Sequence, residues 1–269
     1  MANIERFYDN NAQREWNRLD GHKTEFAVTM RALREYLPPP PARIVDVGGG
    51  PGRYSIALGR LGYSVTLADL SAGLLAFARG KASEAGVMLE DYVHINALEL
   101  EKMTGAPYDA VLLMGPLYHL LTLEDRLRAV RGVRGLLKPG GLVFASFIAR
   151  YAGIRWAAKN LPSWLVDKRS DAERLLETGV NIPPDEGGFT DSYFAQPSEI
   201  RPLMEEGGFQ TLDLIGCEGL VSMIEEKIIP LEGELWEAWV DINYRLGRDP
   251  SIHGAVEHLL YVGVNGEHG

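Results

Sequence analysis

The sequence predicts an α/β fold, a parallel sheet with helices on both faces. Three observations carry this. From Arg43 onward, apolar runs of strand length alternate with runs of helical spacing. The first apolar run, in "RIVDVGGGPGRYS" (Arg43 to Ser55), passes directly into three glycines, a proline and a fourth glycine. The run "YDAVLLM" (Tyr108 to Met114) is apolar at almost every position, as a strand covered on both faces requires.

Taken in order, "TEFAVTMRALREYL" (Thr24 to Leu37) spaces its apolar residues as an amphipathic helix, and Pro38 to Pro41 stop it. "RIVDVG" reads as a strand and "YSIALGRLG" as a helix. "SVTLAD" (Ser64 to Asp69) is a strand, followed by a helix that Ser71 caps. "YVHIN" (Tyr92 to Asn96) is a short third strand and Tyr108 to Met114 the fourth. "TLEDRLRAVRGVRGLL" is a helix opened by Thr122 and Asp125, a capping box with Asp in place of Glu, and ended by "KPGG". "LVFASFI" (Leu142 to Ile148) is the fifth strand. The alternation then breaks. "PSEIRPLMEEGGF" is expected to be a helix capped by Ser198, "QTLDLIGCEGL" a strand, "PLEGELWEAWVDINYRLG" helical, and "EHLLYVGVN" a last strand. The chain is thus expected to be one domain. Residues 1–41 would form an N-terminal helical lid, 42–148 a binding core, 149–195 a lid insertion, and 196–269 the rest of the sheet with a second insertion at 221–250.

Net charge is −10, from 37 acids against 27 Lys and Arg, a field that repels phosphate backbones. Nucleic acid is therefore not expected as a partner. Arg126, Arg128, Arg131, Arg134 and Lys138 read as surface charge on a helix that Glu124 and Asp125 begin. Cys217 is the only cysteine, so no internal disulfide and no thiolate metal site are expected; no other metal site is expected. No run of 18 apolar residues and no apolar leader occur, so the expectation is a soluble cytoplasmic protein with no membrane partner.

A strand that turns tightly into a helix needs residues without Cβ where a ligand presses on the backbone. The free N–H groups of the helix start suit an anionic group. A dinucleotide site wants G-x-G-x-x-G. Here Gly48, Gly50 and Gly52, with Gly49 between, give G-x-G-x-G, and the dinucleotide motif's last glycine is replaced by Arg53. Asp46, two residues before the first glycine, opposes a pyrophosphate and suits an amino-acid tail beside a sulfonium. Asp69 ends the second strand, 17 residues past Gly52, where its carboxylate can accept from both hydroxyls of a ribose. That feature serves a dinucleotide and an adenosyl group alike; the plainer alternative is a turn or cap aspartate.

"VDVGGGPG", "VTLADLS" and "YDAVLLMGPLYHLLTLEDR…LLKPGGLVF" resemble motifs of the class I S-adenosylmethionine-dependent methyltransferases, small-molecule branch, over residues 43–148. The segments "FYD…EWNRL", "FTDSYF" and "EHLLYVG" resemble one subgroup. The resemblance implies a Rossmann-like seven-stranded sheet, order 3-2-1-4-5-7-6, last strand antiparallel, with helical insertions. It implies S-adenosyl-L-methionine as cofactor and S-adenosyl-L-homocysteine as product. Gly48, Gly49, Gly50 and Gly52 would line its methionine part, Asp46 would face the ammonium, and Asp69 the ribose. Leu70 would lie against the adenine, with Asn96, Ala97 and Leu98 at its edge; the family usually has Asp where Asn96 stands. Met114 would offer its carbonyl to the ammonium, beside Gly115. Tyr8 and Trp16 would fold over the cofactor.

Tyr118 and His119 follow the fourth strand, at the sheet edge where ligands bind, and are the candidate catalytic residues. His119 is open to two roles, base or wall. His22, Phe189, Tyr193 and Phe194 are candidates for the substrate, or packing aromatics. No N-P-P-Y-like motif follows the fourth strand, cysteines are too few for arsenic chemistry, and paired glutamates are absent there. A small organic acceptor with an O, N or C nucleophile remains. The alternatives are a nicotinamide-dependent oxidoreductase and a non-catalytic binding protein of the same fold. The insertions leave both a pocket cap and a homodimer contact open.

Overall fold

Alternating apolar runs pair into a seven-stranded sheet in the protein, whose computed structural model describes residues 2–183 and 190–266. Its strands are β1 (Arg43–Val47), β2 (Ser64–Asp69), β3 (Asp91–His94), β4 (Tyr108–Leu113), β5 (Leu137–Ile148), β6 (Phe209–Gly216) and β7 (His258–Asn265). The order is 3-2-1-4-5-7-6; β7 alone runs against its neighbours, β5 and β6. β1 pairs with β2 on one side and β4 on the other, both parallel, so a crevice opens where the chain changes direction.

Helices α1 (Ala2–Asp9), α2 (Ala12–Gly21) and α3 (Lys23–Tyr36) precede the sheet. α4 (Arg53–Arg60), α5 (Ala72–Glu84) and α6 (Leu123–Leu136) connect its parallel strands. α7 (Ala152–Asn160), α8 (Trp164–Asp167) and α9 (Arg169–Thr178) form the insertion after β5. α10 (Pro197–Glu206) leads into β6, and α11 (Glu225–Ile228) and α12 (Gly233–Leu246) lie between β6 and β7. α3, α4, α5 and α12 bury one side of the sheet, through residues such as Leu33, Leu58 and Ile44. α6, α10 and the 3₁₀ turn Ala97–Lys102 bury the other, through Val133, Met204 and Leu100.

Local chemistry explains the agreements and the departures. Ser71 caps α5 by accepting from the Leu74 amide at 2.9 Å, as its position predicts. Thr122 accepts from the Asp125 amide at 3.1 Å, but the Asp125 carboxylate takes the Thr122 hydroxyl instead of closing the box on the backbone. β3 ends before Asn96 because the Asn96 side chain caps the following turn, accepting from the Leu98 amide at 2.9 Å. β5 starts at Leu137, with "KPGG" inside an irregular register opposite β4. Ser198 is not the cap of α10. Pro197 fills the first helical position, so Gln196 becomes the cap, and Glu199 accepts from its amide at 3.1 Å. Nor are all the α6 cations surface charge. Arg126 is buried, donates to the Leu120 and Leu121 carbonyls, and stacks on Tyr193 at 3.6 Å.

Arg150 ties the insertion to the core. Buried at the end of β5, it donates to the carbonyls of Phe194 (2.7 Å) and Leu176 (3.2 Å) and pairs with Glu199 at 3.1 Å. Arg150→Met leaves those carbonyls without their donor, while Glu199 still reaches water. We expect a stability loss of about 2–4 kcal/mol, read as a lower midpoint in urea unfolding with an unchanged slope.

Candidate active site at the carboxyl ends of β1 and β4

The glycine turn is shaped mostly by the protein itself. A Cβ at Gly48 would strike the Pro116 ring at 2.5 Å, and one at Gly49 would collide with Leu67 and the Asp46 carboxylate. Gly52, at φ +84°, caps α4 and packs against Ala78. Gly50 differs: at φ +55°, its Cβ would meet nothing nearer than Leu74 at 3.8 Å. Ligand-facing space therefore begins at Gly50, whereas at Gly48, Gly49 and Gly52 the crowding neighbours belong to the chain.

The two acids of the sequence motif have different surroundings. Asp69 accepts from the Gly50 amide and the Ser71 amide, one to each oxygen, both at 2.8 Å. It is thus a turn aspartate as well as a candidate ligand for a ribose; each carboxylate oxygen keeps a second lone pair. Burial raises its pKa despite these bonds. Asp46 is fully buried and accepts the Ser55 hydroxyl on Oδ2 at 2.7 Å. Among the described residues its Oδ1 has no hydrogen-bond partner, and burial first, then Asp69, pushes its pKa up to about 7 against the pull of Ser55.

Both acids border one cleft. Gly48, Gly49, Gly50, Met114 and Gly115 form its strand-end wall, and Leu70, Asn96 and Ala97 another. At the remaining end stand Tyr8, Tyr118 and His119. Tyr8 Oη lies 2.7 Å from His119 Nε2, and Thr190 Oγ1 3.0 Å from Nδ1. Burial lowers the His119 pKa to about 4, so the ring is neutral, and burial raises those of Tyr8 and, to about 12, Tyr118.

Several residues singled out by sequence lie elsewhere. Gly52 and Leu98 do not line the cleft; Leu98 packs toward the core under β3. Trp16 faces Phe77 and lies under the Arg53 guanidinium at 4.9 Å, outside the cleft. His22 starts α3, next to the His258 ring. Tyr193 is held between Arg126 and Glu199, and Phe194 is buried with Ile148, Ala152 and Leu175. Both pack the insertion onto the sheet. Phe189 lies outside the described residues.

Sequence reasoning also missed Glu15, Arg18 and Leu19, which reach the cleft from α2. Their i, i+3, i+4 spacing marks one helical face, a signal present in the sequence. Arg18 donates to both oxygens of buried Glu25, at 3.0 and 3.4 Å. Glu25 lies 3.6 Å from His258 Nδ1, which pairs with Glu218 at 2.6 Å. Glu218 also accepts from the amides of Glu257 and His258. Burial alone would lower the His258 pKa, but Glu25 and Glu218 raise it to about 9. Burial would raise that of Glu25, but Arg18 and His258 bring it down to about 2.

The strand order and the switch-point cleft are those of an α/β fold of the methyltransferase type. Comparison with known proteins makes this specific. Residues 44–141 match the family described as a methyltransferase domain. A ubiquinone biosynthesis O-methyltransferase of Xanthomonas axonopodis pv. citri is 31% identical over 189 residues, 70% of this chain and 71% of that protein. One from Xanthomonas campestris is 36% identical over 177 residues, 66% of each. The structure of a Synechocystis magnesium protoporphyrin IX methyltransferase with bound S-adenosylhomocysteine superposes with a TM-score of 0.57 at 15% identity, covering 97% of both chains. A Methanosarcina mazei S-adenosylmethionine-dependent methyltransferase gives 0.59 at 18%, covering 88% of this chain and 98% of that one. The chain belongs to the class I S-adenosylmethionine-dependent methyltransferases of the small-molecule branch. It is an enzyme that methylates a small-molecule acceptor, which sets aside the oxidoreductase and non-catalytic readings.

The buried ion network has a testable pH signature. His258 is bound more tightly to its proton in the folded state (about 9 against 6.5), so its contribution is complete below 6.5 and is lost as pH rises through 9. Glu25, shifted from 4.5 to about 2, contributes fully above 4.5 and is lost as pH falls through 2. Unfolding free energy measured in urea should therefore decline on the alkaline side of 6.5. His258→Gln should lower stability at neutral pH and remove that alkaline decline.

Proposed function

We propose that the cleft binds S-adenosylmethionine by its amino-acid end at Asp46 and by its nucleoside at Asp69, and that the Tyr8–Tyr118–His119 end receives the acceptor hydroxyl. The observation that carries this reading is the buried Asp46 Oδ1, which has no hydrogen-bond partner among the described residues, on a residue that lines the same cleft as Gly50. A buried carboxylate oxygen without a donor is costly unless a ligand supplies one, and an ammonium does so with charge. The apolar side chains of Leu70, Leu74 and Ile95 suit an adenine face, with Asn96 and Ala97 at its edge. Met114 and Gly115, at the end of β4, bring backbone groups to the same wall.

When bound, the cofactor supplies a methyl group on a sulfonium whose leaving group is a neutral thioether. The protein's task is then to hold the acceptor in line in a dry site and to take its proton. His119 is suited to the proton. It is neutral, and its Nε2 already holds a hydroxyl, that of Tyr8, in the way it would hold an acceptor oxygen. Thr190 on Nδ1 fixes the ring. Arg18, kept in place by Glu25, gives this end a positive charge that steadies a developing oxyanion. The curated relatives' designation as O-methyltransferases supports oxygen as the nucleophile.

Two measurements test the cofactor end. Near pH 7 about half of Asp46 is protonated in the free protein, and an ammonium beside it favours the carboxylate. Titration calorimetry with S-adenosylhomocysteine in buffers of different ionisation enthalpy should show proton release near pH 7, and affinity should rise with pH through that region. Asp46→Asn should abolish the release and weaken binding about tenfold; release undiminished in the variant rules out Asp46 as the ammonium's partner. Gly50→Val places its side chain in the cleft. Binding should fall at least about tenfold, with a left-handed backbone cost of about 1–2 kcal/mol in stability; unchanged binding in a folded variant places the ligand elsewhere.

A further inference from the structure

A groove runs along α3 and α4, and of its lining residues only Arg53 also borders the cleft. Its floor is apolar: Phe26, Ala27 and Met30 from α3, Ile56 and Ala57 from α4. On both helices the lining positions recur at steps of three and four, so each helix turns one face to the groove. Ala27 and Ala57, midway along the two stretches, leave room for the side chains of another molecule. Cations stand beside the floor: Lys23, Arg31 and Arg34 on α3, Arg53 and Arg60 on α4, and Lys81 on α5. The acids that line the groove are Glu84 and Glu237. Arg31, Arg53 and Lys81 pair with carboxylates. Lys23 instead donates to the Ile229 and Leu231 carbonyls and lies 4.0 Å from the Trp236 ring. The side chains of Arg34 and Arg60 are exposed and have no hydrogen-bond or ion-pair partner among the described residues. In a chain of net charge −10, cations left without carboxylates around one apolar floor are unlike the surface as a whole.

We propose that this groove receives an acidic amphipathic helix of a partner protein. The floor suits apolar side chains, and the cations beside it suit carboxylates that flank them. The floor residues carry no polar side-chain group, so an extended segment laid on them would leave its backbone N–H and C=O groups unpaired; a helix pairs its own. From Lys23 to Arg34 the groove follows α3 for about 16 Å, the length of about three helical turns. A small anion would match the cations and leave the floor in water.

A second copy of the chain is the poorer occupant. This chain exposes an acid-flanked apolar face on α12, where Leu235 and Ile242 stand beside Glu234 and Asp241. Yet α12 itself borders the groove through Trp236 and Glu237. A two-fold pair with each α12 in the other's groove would set the acids of one α12 against the same acids of the other. Arg53 also donates to the Trp16 carbonyl and to Asp20 on α2, whose other face, Glu15, Arg18 and Leu19, lines the cleft. An occupant of the groove therefore rests against residues that hold α2 beside the cleft. The docking itself does not depend on what the cleft binds.

The test uses the full chain and two designed, fluorescein-labelled helical peptides of about four turns. Both carry leucine at i, i+3, i+4 and i+7; one has glutamate at the flanking positions and the other lysine. Fluorescence anisotropy at low salt should show saturable binding of the glutamate peptide, at least about tenfold tighter than that of the lysine peptide, and weakening as salt is added. Arg34→Glu with Arg60→Glu should reverse the preference between the peptides. Ala57→Trp fills the floor and should weaken the glutamate peptide at least about tenfold. Both variants should keep the wild-type circular dichroism spectrum and a cooperative thermal transition, which shows that they are folded. Lack of saturation at millimolar peptide overturns the proposal, as does equal affinity for the two peptides or binding that neither variant changes. So does sedimentation that shows a dimer which Ala57→Trp converts to a monomer.

Discussion

The carboxylate of Asp69 is the joint on which the cleft depends. It ends β2, yet one oxygen accepts from the Gly50 amide in the turn after β1 and the other from the Ser71 amide at the start of α5. A hydrogen bond to a charged acceptor contributes about 1.5–3 kcal/mol, so these two bonds fix the relative position of two neighbouring turns. Further connections meet at the same point. Ser71 caps α5 and donates to Asp9, and Asp9 also accepts from the Gly73 amide. The last residue of α1 is thereby fastened beside the carboxylate that shapes the glycine turn. A cleft assembled this way has its form before any ligand enters, and little ordering is left for binding to supply.

That arrangement also divides the labour between two aspartates 23 positions apart in the chain. Both are buried and both titrate above the usual carboxylate range. Asp69 spends two of its acceptor sites on the protein; Asp46 spends one, on Ser55, and leaves Oδ1 bare. An acid committed to backbone amides is structural first and a ligand second. An acid with an unpartnered oxygen at the mouth of a parallel strand is held at a cost that protonation or a bound donor offsets. The two environments, rather than the shared residue type, assign the roles.

How much of this was legible depended on how local the cause was. The strands, the glycine turn, the Ser71 cap and the Thr122 cap rest on neighbours in sequence, and each occurs in the expected place, with the ends of β3 and the start of β5 shifted by a few residues. Ser198 misled because Pro197 already occupied the first helical position, so the cap moved back to Gln196. Trp16 was expected over the cofactor from the resemblance of its segment, without regard to helical phase. On α2 the face of Glu15, Arg18 and Leu19 turns inward to the cleft, and Trp16 points toward Arg53 and Phe77. His22, Tyr193 and Phe194 are polar or aromatic residues recruited to packing, and nothing within their own segments says so. The pairing of His258 with Glu25 joins residues more than two hundred positions apart, which no periodicity can announce.

The same contrast separates the two ends of the cleft. The cofactor end is made from consecutive strand ends of one parallel sheet, so its residues appear in the chain at regular intervals and carry a motif. The acceptor end draws Tyr8 from α1, Arg18 from α2, His119 from the turn after β4 and Thr190 from the segment before α10. Four unrelated segments that meet at one point leave no common spacing, and each is free to change while the sheet is kept. On the proposed reading, recognition of the nucleoside is constrained by the fold itself, and recognition of the acceptor by the elements packed onto it. Tyr8 holds the same histidine that Thr190 contacts, so on that reading α1 has to release His119 before an acceptor oxygen takes its place, and the helix fastened at Asp9 is the barrier that an acceptor displaces.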